Sequence, residues 1–251
     1  MTLLLYTART TFALGTRPAG TIIGSPRTGV VRMCPMGSST TNGVGDPLFR
    51  AYRTTVGQKI LDSIARREFD SGLDVQMVGP LQSGIAPWDH HYGVDGATCA
   101  TLISGAPSHF APGEAFDDVD IFLSHVGVNN CASDAELTAA MSEDVSTSYR
   151  GLYRLLYSYL PDAVYIVGTV PRAGDSARLA RIATFNAALP AYWTQLAGEG
   201  LTIATYDSDV VINGVHFAGN PDVHPNPDGY GLIGAAMWPA VCNSLGYDAQ
   251  W

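Results

Sequence analysis

Five short apolar runs, each followed by a stretch with helical periodicity, constrain this chain more than any other feature. The runs fall at residues 30–34, 74–79, 119–126, 164–170 and 201–206, and Gly, Pro, Asn or Asp bounds each of them. Between them, Phe49, Tyr52, Val56, Ile60 and Ile64 recur at helical spacing, and a weaker helix is predicted near 98–103. Ser133 and Glu136 form a capping box, behind which Leu137, Met141, Val145, Leu152 and Leu156 predict one helix reaching Tyr159. Residues 176–197 predict another, which Pro190 should kink or split, and residues 226–245 predict a closing helix. Strictly alternating strands and helices are the pattern of a parallel sheet covered on both faces. The expected fold is therefore α/β: a three-layer α/β/α sandwich with a five-stranded parallel sheet.

In such sheets ligands bind beyond the carboxyl ends of the strands. The first run ends in Pro35, Gly37, Ser38, Ser39, Thr40, Thr41, Asn42 and Gly43, a tight polar turn able to hold a serine hydroxyl at that edge. The second run leads into a polar loop over residues 80–98. The third closes on Gly127, Val128, Asn129 and Asn130, so small polar residues collect on one edge.

Composition narrows the function. The formal net charge of −9 argues against a nucleic-acid partner and against an anionic membrane surface. No stretch approaches the length of apolar residues that spans a bilayer. Cys34, Cys99, Cys131 and Cys242 are far apart and show no zinc-ligand spacing, so no metal site is expected. They permit three disulfide pairings or four free thiols. A length of 251 residues fits one domain, read here as residues 30–251, with residues 1–29 as an N-terminal arm. That arm carries arginines but no acid, and Leu3, Leu4 and Leu5 are too short a core for a signal peptide.

A serine nucleophile needs a base. Of the six histidines, His125 lies inside a strand pattern and reads as a core residue, while His90 and His91 lie in the polar loop. His224 stands before a helix start, stiffened by Pro225 and Pro227 with Asn226 as cap, an entrance that holds an imidazole in one orientation. Gly96 can present a bare backbone N–H to a substrate oxygen, and Asn129 can add a side-chain donor.

These residues, in this order, resemble the SGNH (GDSL-like) hydrolase superfamily. The first block stands as Gly37, Ser38, Ser39, Thr40 and Thr41; the second runs from His91 to Gly96; the third is Gly127 to Asn130; the last begins at His224. The flanks of the first block, with Phe49, Arg50, Ala51, Tyr52 and Arg53, resemble the branch holding acetylxylan esterases of carbohydrate esterase family 3. The resemblance covers about residues 30–245 and implies a flavodoxin-like SGNH fold. It implies Ser39 as nucleophile and His224 as base, with an oxyanion hole made by the Ser39 N–H, Gly96 and Asn129. It implies no cofactor. The chain departs from the family at Ser38, where the block has aspartate, at Asn130, and at Pro221, where the family's orienting aspartate falls. Asp222 is one residue closer to His224 and is the candidate third member; a backbone carbonyl orienting a Ser–His dyad is the alternative.

The function implied is a secreted serine esterase removing short acyl groups, acetyl foremost, from a small-molecule or polysaccharide substrate. Trp88, His91 and Tyr92 are the expected substrate-binding residues. A lipid-directed esterase or lysophospholipase is the alternative within the enzyme class. A non-catalytic carbohydrate-binding protein of the same fold is the alternative outside it.

Overall fold

A computed structural model describes residues 26–212, 214–219 and 223–248 of the chain. The first strand, β1 (Gly29–Gly37), is followed by the one-turn helix α1 (Ser39–Asn42) and by α2 (Ala51–Ala65). Then come β2 (Leu73–Met77), the short strands β3 (Leu81–Gln82) and β4 (His90–Gly93), and the helices α3 (Cys99–Gly105) and α4 (Pro107–Phe110). The second half runs β5 (Ile121–His125), α5 (Asp134–Met141), α6 (Tyr149–Tyr159), β6 (Val164–Gly168), α7 (Ser176–Gly198), β7 (Thr202–Tyr206) and α8 (Pro227–Leu245).

The five expected strands are all present and parallel, in the order β2-β1-β5-β6-β7. Two more enlarge the sheet to seven. β1 outruns β2, and its last residues pair instead with β4, Met36 opposite Tyr92 and Gly37 opposite Gly93. β3 closes that edge antiparallel to β4. Pro35 and Gly37, read from the sequence as breakers, thus belong to the strand, because pairing with β4 and β5 outweighs their local preference.

Side chains alternate between two cores, as strand pleating requires. Met33, Ile121, Leu123, Val164 and Ile166 face α2 and α8, whereas Cys34, Phe122, Tyr165 and Ile203 face the opposite layer with α3, α6 and α7. The sandwich is three-layered, as expected.

Other expectations shift. The single helix from Ser133 to Tyr159 is two helices. Ser133 caps α5 through the Glu136 N–H, but Ser148 caps a new start at the Gly151 N–H. Asp144 accepts from Ser146, making a turn between them, and Val145 is 64% exposed rather than in the core. Pro190 does not split α7, which runs through it. All four cysteines are buried free thiols, so no disulfide staples the fold. Of the expected arm, residues 26–29 are described, and the Arg27 N–H donates to Leu245 O at 2.9 Å. No helix among the described residues is long and apolar enough to cross a membrane.

Candidate active site

β1 delivers Ser38 and Ser39 to the carboxyl edge of the sheet, beside β5, where the strand order reverses. Close packing fixes the turn. A Cβ on Gly37 would lie 2.3 Å from His125 O and 2.4 Å from Thr41 Oγ1, so only glycine fits there. Ser39 opens α1, and its backbone N–H belongs to a first turn that has no intrahelical acceptor. Ser38 occupies the N-cap but makes no capping bond, and its buried Oγ has no partner among the described residues.

From the far end of the chain, α8 presents His224. Asn226 Oδ1 accepts from the Gly229 N–H at 2.9 Å, capping the helix, and its own N–H donates to His216 O at 2.8 Å. The Tyr230 hydroxyl donates to Val44 O at 2.6 Å. A Cβ on Gly45 would fall 2.5 Å from Pro225 O, which shows how closely the segment after α1 meets the histidine loop. These contacts bring His224 Nε2 to 2.9 Å from Ser39 Oγ, across 185 residues of sequence. A serine hydroxyl at that distance can pass its proton to the imidazole. Ser39 is 6% exposed.

The loop after β4 sits alongside. The Val94 N–H donates to Gly37 O at 3.1 Å, which seats the segment leading to Gly96 beside the nucleophile strand. Gly96 has φ +73, is exposed, and has open space around its α-carbon. Asn129 Nδ2 donates to Ala97 O at 3.1 Å, so the second and third sequence blocks meet, and the amide keeps a second N–H to offer. Asn130 Oδ1 accepts from the Cys99 N–H at 3.2 Å and ties the same loop to α3.

Asp222 lies outside the described residues. The expected substrate residues are placed differently from the sequence reading. Trp88, His91 and Tyr92 are 5%, 1% and 3% exposed. Trp88 lies against Gly57 of α2, where a Cβ would be 2.2 Å from its ring. The Tyr92 hydroxyl donates to Leu102 O at 3.1 Å, and its ring meets Phe110 edge-on. Burial, with Arg53 nearby, pushes the His91 pKa down to about 3. Loop position suggested a platform; the pairing of β4 with β1 buries His91 and Tyr92, and packing against α2 buries Trp88.

His125 is the core residue expected. The Tyr206 hydroxyl donates to Ser124 O at 2.9 Å, so His125 Nδ1 must be the donor to Tyr206 at 2.7 Å. Burial lowers its pKa to about 4.

Sequence reasoning missed Arg53, which is fully buried. Its Nε donates to Trp88 O at 2.9 Å, Nη1 to Thr41 O, and Nη2 to Phe49 O at 2.8 Å and to Ser83 O. Both terminal nitrogens reach Asn42 O at 3.3 Å. The signal was a charge beside Tyr52 on the apolar face of a predicted helix, a position that calls for buried acceptors. Among the described residues, no group of three or more His, Cys, Asp or Glu side chains is arranged to hold a metal ion.

The sequence matches no protein-family model and no curated protein. Its structure matches solved ones. A family 3 carbohydrate esterase from Clostridium thermocellum superposes with a TM-score of 0.67 at 20% identity, over 84% of this chain and 94% of the other. A carbohydrate esterase of family 3 from Talaromyces cellulolyticus gives 0.62 at 16% identity, over 84% and 96%. An acetyl xylan esterase variant from Geobacillus stearothermophilus gives 0.54 at 15% identity, over 88% and 97%. The fold is thus the SGNH hydrolase fold, and it resembles that of family 3 carbohydrate esterases.

Proposed function

We propose that this protein is a serine esterase that removes short acyl groups, acetyl foremost, from carbohydrate. The observation that carries the reading is the 2.9 Å approach of His224 Nε2 to Ser39 Oγ at the carboxyl edge of β1. In the proposed reaction His224 takes the Ser39 proton as Oγ attacks the ester carbonyl. The resulting oxyanion faces the Ser39 N–H, the Gly96 N–H and Asn129 Nδ2, donors whose removal typically costs about 3–4 kcal/mol at such a barrier. The sugar hydroxyl leaves with the proton from His224. Water, deprotonated by the same histidine, then attacks the acyl-enzyme and releases the acid. Asp222 is assigned the task of orienting His224.

Carbohydrate and acetate enter through the named activities of the structural neighbours, two of them family 3 carbohydrate esterases and one an acetyl xylan esterase. A polysaccharide substrate would put the enzyme outside the cell. Four unpaired thiols mean that the fold does not draw on an oxidising compartment for stability.

The test compares p-nitrophenyl acetate with p-nitrophenyl octanoate, using wild type and Ser39→Ala. Turnover that favours acetate and is lost in Ser39→Ala, with the melting temperature retained, is the expected result. A preference for octanoate moves the reading to lipid substrates. Equal inertness of both proteins, with no covalent adduct from a phosphonate at Ser39, supports a non-catalytic binding protein instead.

A further inference from the structure

The carbonyl end of the nucleophile turn is held from outside. A helix of one turn does not persist alone, and its last carbonyls have no intrahelical donor. Asn42, the last residue of α1, meets both Arg53 and Ser83 there.

Donors and acceptors can be assigned without ambiguity. The Gly93 N–H donates to His91 Nδ1 at 2.9 Å, so the neutral ring carries its proton on Nε2 and donates it to Ser83 Oγ at 2.8 Å. Arg53 Nη2 donates to the same oxygen at 2.9 Å. With both lone pairs taken, the Ser83 hydroxyl can only donate, and its one proton lies between two acceptors, Asn42 Oδ1 at 2.7 Å and Asn42 O at 2.8 Å. The Asn42 side chain, held by its oxygen, directs Nδ2 to Asp95 Oδ1 at 2.9 Å. Asp95 immediately precedes Gly96. Burial holds the His91 pKa down at about 3, so the ring is neutral near pH 7 and the chain keeps its direction there.

We infer that Asn42 and Ser83 are positioning residues that lock the turn beginning at Ser39 to the loop carrying Gly96. Neither touches the reacting atoms. They keep the nucleophile in register with an oxyanion donor that belongs to a different strand. The inference rests on the esterase reading of Ser39 and Gly96, and it adds to that reading two residues to which the sequence reading gave no role.

Asn42→Ala and Ser83→Ala test it with two readouts on the same samples. The first is amide hydrogen exchange at Gly43 and Val44, which donate to Ser39 O at 2.9 and 3.0 Å. It does not depend on turnover. Failure of the esterase reading would appear separately, as equal hydrolysis by wild type and Ser39→Ala. The second is kcat against KM for p-nitrophenyl acetate. Both variants are expected to exchange at least about tenfold faster at these amides and to lose roughly tenfold or more in kcat, with KM within about twofold. Ser83→Thr, which keeps the hydroxyl, should recover most of both. If Asn42 only filled helix, Asn42→Ala would slow exchange, since alanine is the better helix former. Unchanged or slower exchange in both variants overturns the inference. So does faster exchange with kcat unaltered, or Ser83→Thr as impaired as Ser83→Ala. Asp95→Ala, at an exposed position, supplies the same test with a smaller expected effect should either of the half-buried variants fail to fold.

Discussion

Replacing Arg53 with lysine keeps a positive charge in the fully buried site but changes the number and geometry of its donors. The guanidinium serves five backbone carbonyls, those of Thr41, Asn42, Phe49, Ser83 and Trp88. An ammonium has three donors; Asn42 O keeps the Ser83 hydroxyl as a second donor, so at least one of the other four carbonyls loses its partner. Each buried acceptor left unpaired costs about 1–3 kcal/mol, so the substitution should cost at least about 2 kcal/mol. For a chain of this size about 2–4 °C of melting temperature goes with each kcal/mol, and the expected fall is therefore at least roughly 6 °C. Thermal unfolding followed by circular dichroism measures it, with Arg53→Met alongside. A fall of under about 3 °C in Arg53→Lys would refute the reasoning. So would an Arg53→Met variant more stable than wild type, because then the cost of burying the charge exceeds what its hydrogen bonds return.

Acid should weaken the fold through two histidines. Burial holds His91 at about 3 and His125 at about 4, against about 6.5 in an unfolded chain. Below pH 6.5 the unfolded chain takes up protons that the fold refuses, so the stability present above pH 6.5 is lost on the way down. At pH 4.5 the loss is about 2.7 kcal/mol per histidine and about 5 kcal/mol for both; a urea midpoint equal at pH 7 and pH 4.5 would contradict this. Gly45→Ala puts a Cβ 2.5 Å from Pro225 O and 3.0 Å from His224 Cβ at φ +97, and the histidine loop must retreat from Ser39. A displacement near 1 Å should lower kcat about 10²-fold, and an unchanged kcat would show that the loop yields elsewhere. Asp222→Asn should lower kcat toward the loss of about 10⁴ seen when a triad's third member is mispaired; a loss of a few-fold would assign the orienting task to a backbone carbonyl.

The parts of the site legible in the sequence are those whose chemistry is local. Asn226 between two prolines reads as a helix cap because capping involves neighbours three residues apart, and that cap is present. Ser39 in a polar turn after a buried run reads as a strand-end residue for the same reason, and its turn opens α1. His91 and Tyr92 were misplaced because a loop rich in glycine and aromatic residues carries no mark of a strand four residues long, and Trp88 because its packing partner Gly57 lies on a distant helix. Val145 was placed in a core because its spacing continued a helical stripe, whereas Asp144, Ser146 and Ser148 held the backbone in turns instead.

The sequence by itself determined the alternation of strands and helices, and with it the layered sheet and the order in which chemically able residues reach one edge of it. That much follows from hydrophobic periodicity, caps and turns, which act over a few residues. Only the tertiary structure decided that β1 would exchange β2 for β4 at its end, and so bring the Gly96 loop beside Ser39. It alone selected the acceptors around Arg53 and the partner of Ser83, groups separated from them by up to 41 residues. Each buried polar group must find its partners in the finished fold, and that requirement is met by the whole packing at once.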